Sequence, residues 1–125
     1  MKTVCLDFDG VLAYYTEWNG KIGEPNSEGI KLARMLKKEG FEIVIQSCRW
    51  HSDFEDSSNK SHEVIEWLLE HEVPFDRLEY GSKAFANVYV DDRAVHFPLN
   101  QGPAKDVFEK ILSRIVQGSE GQVTP

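Results

Sequence analysis

The stretch Val4-Cys5-Leu6-Asp7-Phe8-Asp9-Gly10-Val11 decides how this chain is read. Val4 and Leu6 favour a strand, and strand side chains return to the same side every second residue, so Asp7 and Asp9 are expected to converge where the strand stops. Gly10 then lets the backbone turn away without a side-chain clash. Two carboxyls at one strand end supply a nucleophile or metal ligand with a second acid beside it to move a proton. The plainer alternative is an Asp-rich turn that closes a strand.

Working outward, Tyr14, Tyr15 and Trp18 precede Asn19-Gly20, and Lys21 and Ile22 follow it, which predicts a short hairpin directly after the acidic pair. Asn26 or Ser27 is expected to cap a helix in which Ile30, Leu32, Ala33, Met35 and Leu36 recur at helical spacing until Gly40. Phe41 to Gln46 reads as a strand apolar on both faces, the pattern of a parallel sheet covered by helices, and its end delivers Ser47, Cys48 and Arg49. Trp50 to Asn59 reads as a loop; Ser58 or Ser61 then caps a second helix carrying Val64, Ile65, Trp67, Leu68 and Leu69, and Pro74 bars its continuation. Leu78-Glu79-Tyr80 is a weak strand followed by Gly81-Ser82-Lys83, and Asn87 to Val90 is a strong one ending in Asp91-Asp92-Arg93. Val95-His96-Phe97 is expected to add an edge strand, halted by Pro98. Pro103 opens a last helix with Val107, Phe108, Ile111, Leu112 and Ile115 apolar and Gly118 closing it, before a tail from Ser119 to Pro125.

Strands alternating with helices predict an α/β fold: one doubly wound, Rossmann-like parallel sheet with helices on both faces and its ligand at the carboxyl ends of the strands. Residues 1–118 form the core domain and 119–125 the tail. Asp7, Ser47, Lys83 and Asp91 then all lie at or near one sheet edge.

Composition bounds the function. A chain of 125 residues, 41% hydrophobic and 28% charged, suits one soluble globular domain rather than a disordered or fibrous one. The formal net charge of -7 disfavours partners held by long-range attraction to polyanions, such as nucleic acid or an acidic membrane surface. Two cysteines, Cys5 and Cys48, are too few for a secreted disulfide framework and suit a reducing cytoplasm. The longest apolar run, Val11 to Tyr15, is far short of the ~20 residues of a membrane span, so neither signal peptide nor anchor is expected.

Taken together, Asp7-Phe8-Asp9-Gly10, Ser47, Lys83 and Asp91-Asp92, in that order at successive predicted strand ends, resemble the signatures of the haloacid dehalogenase superfamily. The resemblance spans Val4 to about Phe97, and it implies a phosphatase in which Asp7 attacks phosphorus to give an aspartyl-phosphate. Asp9 would protonate the leaving oxygen and later take a proton from water. It further implies Mg2+ held by the side chains of Asp7 and Asp91 and the carbonyl of Asp9, with Asp92 as an outer contact. Ser47 and Lys83 would bind phosphoryl oxygens; apart from the resemblance, Arg49 follows Ser47 at the same edge and is expected to reach the substrate. The family often follows this lysine with proline; here Ala84 stands there. An acid at position 9 goes with phosphatases rather than dehalogenases, and the short segments Val11 to Pro25 and Tyr80 to Lys83 imply a member without a cap domain. A small phosphorylated substrate is expected, and a second copy could supply a lid.

Other constellations fare worse. A cysteine phosphatase needs arginine six positions beyond its cysteine, where this chain has Val11 and Phe54. His51, His62, His71 and His96 lack the close pairing of a zinc site. Arg49, Trp50 and His51, like Tyr14, Tyr15 and Trp18, are read either as substrate contacts or as loop and hairpin packing. Two rivals remain: a phosphoacceptor switch resembling a response-regulator receiver, and a non-catalytic phosphate-binding module. Receivers place the phosphoacceptor Asp after the third strand, and none follows Leu78-Glu79-Tyr80.

Overall fold

The computed structural model of the chain describes residues 2–16, 20–50, 57–80 and 85–121. Strands β1 (Thr3–Asp7), β2 (Glu42–Gln46), β3 (Arg77–Leu78) and β4 (Val88–Val90) form one sheet in the order β3-β2-β1-β4, and every neighbouring pair is parallel. Helix α1 (Ser27–Lys38) joins β1 to β2, α2 (Ser57–Glu70) lies between β2 and β3, and α3 (Ala104–Gly121) follows β4. The chain therefore runs outward from β1 to β3 and then returns to place β4 on the other side of β1. In such sheets the carboxyl ends of the two strands flanking that reversal form the ligand crevice. Here they are the ends of β1 and β4. Among the described residues nothing forms a cap domain, and no helix is long and apolar enough to cross a membrane.

Alternation along the strands explains which helices pack where. Val4 and Leu6 of β1, Ile43 and Ile45 of β2 and Leu78 of β3 share one buried cluster with Ile30 and Ala33 of α1 and Val64, Trp67 and Leu68 of α2, so both helices cover the same face. The odd-phase residues Cys5 and Val44 form a smaller cluster on the other face, against Ala86. Phe8 continues the β1 pattern into the main cluster, where its ring meets Trp67 edge-on at 5.1 Å. Removing that ring would cost about 3–5 kcal/mol.

The turn after β1 is tied down by backbone hydrogen bonds. The Phe8 carbonyl accepts from the N–H groups of Leu12 (3.0 Å) and Ala13 (3.1 Å), and the Gly10 N–H donates to the Ala13 carbonyl at 2.8 Å. Asn26, at the cap position of α1, makes no side-chain cap hydrogen bond. Its Nδ2 donates instead to the Val11 carbonyl at 2.9 Å, and its own N–H donates to Leu12, fastening the helix start to the turn. Gly29 permits that approach, because a Cβ there would run into the Val11 carbonyl oxygen. Further on, the Tyr14 N–H donates to the Glu24 carbonyl at 2.8 Å, and Ala13 bridges Pro25 antiparallel, which forms the base of the expected hairpin. Its turn at Asn19, with Trp18, lies outside the described residues.

Other expectations need correction. Val95-His96-Phe97 forms no strand: His96 and Phe97 are exposed, three residues before a proline leave almost no ladder to build, and no described strand pairs with them. Gly118 does not end α3, which continues to Gly121; one glycine weakens a helix by about 1 kcal/mol without stopping it. Residues 119–121 therefore belong to the helix. Helix α2 starts at Ser57, ahead of both Ser58 and Ser61. Trp50 is not a loop residue: a single 3-10 turn, Cys48–Trp50, buries it, its Nε1–H donates to the Glu79 carbonyl at 2.7 Å, and its ring packs on Tyr80.

Internal contacts divide the chain into two compact units, Met1–Tyr15 with Ile22–Asp92 and Thr16–Lys21 with Arg93–Pro125. The first contains the sheet, α1, α2 and every residue of the site described next. The second contains α3, on which Phe108, Ile111, Leu112 and Ile115 recur at helical spacing.

Candidate active site

Strand register brings the acids together. Leu6 of β1 pairs with Val90 of β4, so the next residues, Asp7 and Asp91, leave adjacent strand ends side by side. The carboxylates of Asp7, Asp91 and Asp92 each offer an oxygen, and these oxygens all lie within 4.8 Å of one another. Asp7 is half-buried, whereas Asp91 and Asp92 are exposed. Burial, then the Asp91 charge, a hydrogen bond with Asp92 and the charges of Asp92 and Asp9 push the Asp7 carboxyl up to about 8. Without a cation the cluster thus keeps a proton at neutral pH. An all-oxygen donor set of this kind fits a hard divalent ion such as Mg2+ better than a thiophilic one. Gly10, at φ 93°, belongs to the same arrangement, because a Cβ there would run into the Asp92 carboxylate.

Asp9 takes a different partner. The strand stops at Asp7, and the hydrogen-bonded turn at Phe8 breaks the two-residue alternation, so Asp9 is not the next residue of a strand facing Asp7. Its carboxylate meets the Arg49 guanidinium in a two-pronged contact: Nε donates to Oδ2 at 2.7 Å and Nη2 to Oδ1 at 2.8 Å. Asp9 remains near enough for its charge to raise Asp7. Ser47 is buried at the end of β2, and its Oγ accepts the backbone N–H of Arg49 at 3.0 Å, leaving the hydroxyl hydrogen to donate elsewhere.

Of the residues expected at the site, Asp7, Asp91 and Asp92 therefore converge, and Asp9 and Ser47 are linked through Arg49. Asp92, expected as an outer contact, reaches the same cluster as Asp91. Arg49, expected to reach the substrate, is only 1% exposed and turned inward onto Asp9. The only sequence cue to that role is its place two residues past a strand-ending serine. Lys83 and His51 lie outside the described residues. Cys5 offers no competing nucleophile: burial and then the Asp7 charge push its thiol up to about 11, and its Sγ–H donates to Gln46 Oε1 at 3.3 Å.

No family model matches the chain, and no curated protein matches it. Among solved structures it is similar to a conserved protein from Bacteroides thetaiotaomicron, with 20% identity and a TM-score of 0.56 over 90% of each chain. It is also similar to a structural-genomics target from Vibrio cholerae, with 25% identity and a TM-score of 0.53 over 90% of this chain and 98% of that one. These likenesses establish the compact α/β fold.

Proposed function

We propose that the protein is a magnesium-dependent phosphatase that hydrolyses a phosphate monoester through an aspartyl-phosphate on Asp7, with Asp9 as general acid and base. The observation that carries this reading is the convergence of Asp7, Asp91 and Asp92 at the crevice between β1 and β4, with Asp9 two residues beyond the nucleophile. Asp7, Asp91 and Asp92, with the Asp9 carbonyl, would hold Mg2+. The ion would offset the repulsion between carboxylate and phosphate, about 4 kcal/mol per pair of unit charges at 4 Å and an effective dielectric near 20.

In the first half-reaction an Asp7 oxygen bonds to phosphorus, the ester P–O bond breaks, and Asp9 gives its proton to the departing oxygen. In the second, water attacks phosphorus, its proton passes to Asp9, and the Asp7 carboxylate is released. The Ser47 hydroxyl donates to a phosphoryl oxygen, and Lys83 supplies positive charge to the others. The absence of a cap among the described residues suits an open site for a small phosphorylated metabolite. Cys5 and Cys48, which form no disulfide, suit a cytoplasmic setting.

Hydrolysis of an aryl phosphate with magnesium or chelator, in the wild type and in Asp7→Asn, tests the reading. Activity should require magnesium and vanish in the variant. Undiminished turnover in chelator would overturn it, and so would a wild type that accumulates phosphoprotein without releasing phosphate. In Asp9→Asn, rapid quench with an aryl substrate should trap phosphorylated protein, whereas alkyl phosphates, whose leaving group needs the proton, should slow by about 10²–10⁴-fold.

A further inference from the structure

We propose that Arg49 is a positioning residue for Asp9, fixing the plane of the carboxylate that handles the proton, and that it does not bind substrate; this rests on the phosphatase reading above. Besides the fork to Asp9, two contacts and deep burial hold Arg49 in place. Its backbone N–H is bound by Ser47 Oγ at 3.0 Å, its Cζ lies 5.9 Å from the centroid of the Phe8 ring, and its side chain is 2% exposed against 13% for Asp9. The exposed end of the pair is therefore the carboxylate.

Asp9 needs such a support. It stands on a turn rather than in a strand, its neighbour Gly10 contributes no side chain, and the terminal torsion of an aspartate has broad, two-fold preferences. The fork uses one acceptor position on each oxygen, at 2.7 and 2.8 Å. A carboxylate has about four such positions, so two remain to give or take a proton while the plane stays fixed. A lysine in the same place supplies charge but no planar fork, and would leave the carboxylate free to rotate.

Steady-state kinetics of Arg49→Lys and Arg49→Gln on an alkyl and an aryl phosphate separate this role from substrate binding and from simple structural support. Misaligned proton transfer should lower kcat for the alkyl ester by about 10–100-fold, part of the 10²–10⁴-fold that such catalysis supplies, with KM within about twofold. For the aryl ester, whose leaving group needs less help, phosphorylation of Asp7 in rapid quench should slow under about threefold, whereas hydrolysis of the intermediate, which needs Asp9 as base, should slow and let phosphorylated protein accumulate. Lysine should retain more activity than glutamine. A second readout needs no activity: in a double-mutant cycle of Arg49→Lys with Asp9→Asn, each substitution should shift the unfolding equilibrium constant about tenfold less when the other is present. A rise in KM shared by both esters would make Arg49 a substrate ligand, and equal slowing of the phosphorylation step on both esters, with no phosphorylated protein accumulating, would make it merely structural. Either result, or an absent coupling, overturns this proposal while leaving the phosphatase reading intact. A wild type inactive on every ester tested overturns both.

Discussion

Replacing Asp7 by asparagine should make the metal-free protein more stable while ending the proposed catalysis. The oxygens of Asp7, Asp91 and Asp92 lie within 4.8 Å of one another, and two unit charges at that separation repel by roughly 3.5 kcal/mol at an effective dielectric near 20. Asparagine removes two of the three pairs. Because Asp91 and Asp92 face water, screening reduces the gain to about 1–3 kcal/mol. The pH dependence follows from the Asp7 carboxyl, which titrates at about 8 in the fold against an ordinary 3.8. Between those values the folded wild type holds a proton that the unfolded chain has released, so wild-type stability falls as pH rises from about 4 to about 8 and then levels. The advantage of Asp7→Asn in chelator should thus be small near pH 4 and largest at pH 9. There it amounts to about 3–6 °C in Tm per kcal/mol for a chain of this length. Added magnesium should raise the wild-type Tm with the logarithm of its concentration once above Kd, and the variant's far less. Thermal unfolding of both proteins across that pH range, with chelator and with magnesium, measures all of this. An asparagine variant that is less stable than wild type at pH 9 in chelator, or one whose advantage does not change with pH, would refute the argument from burial and charge crowding at Asp7.

Gly10 and Gly40 share nearly the same backbone conformation, φ 93° and 90°, but a Cβ at Gly10 would meet the Asp92 carboxylate whereas nothing lies within 4 Å at Gly40. Gly40→Ala should therefore cost only backbone strain, about 1 kcal/mol, and leave magnesium affinity unchanged by calorimetric titration, whereas Gly10→Ala should weaken it at least tenfold. Since both carboxylates reach the cluster, Asp91→Ala and Asp92→Ala should weaken magnesium binding to a similar degree; an unaffected Asp92→Ala would return that residue to an outer role. Away from the site, Asp76 accepts hydrogen bonds from Lys37 Nζ at 2.6 Å and the Ile43 backbone N–H at 2.7 Å, and the Lys37 hydrogen bond leads in holding its carboxyl below the ordinary value. Its contribution is present above pH 3.8 and lost as pH falls through the lower folded value, so Asp76→Asn should cost about 1 kcal/mol at pH 7 and progressively less in acid, read by urea unfolding.

Local chemistry was legible in the sequence where a short run of residues dictates it. The apolar runs at Val4 to Leu6 and Ile43 to Ile45 form strands, Ile30 to Leu36 forms a helix, and their alternation gives a parallel sheet because a crossover helix leaves little other choice. The strand ends therefore deliver Asp7, Ser47 and Asp91 to one edge, as the spacing implied. Which of these side chains meet was decided only by tertiary structure. The register that sets Leu6 against Val90, and so Asp7 beside Asp91, depends on pairing between strands some eighty residues apart in the chain, for which no local pattern codes. Strand alternation could not be carried past Phe8, because the turn there is shaped by the hydrogen bonds its carbonyl accepts from Leu12 and Ala13. A charged residue after a strand reads as exposed in any sequence; Arg49 is buried because Asp9, forty positions earlier, supplies the opposite charge that makes its burial tolerable.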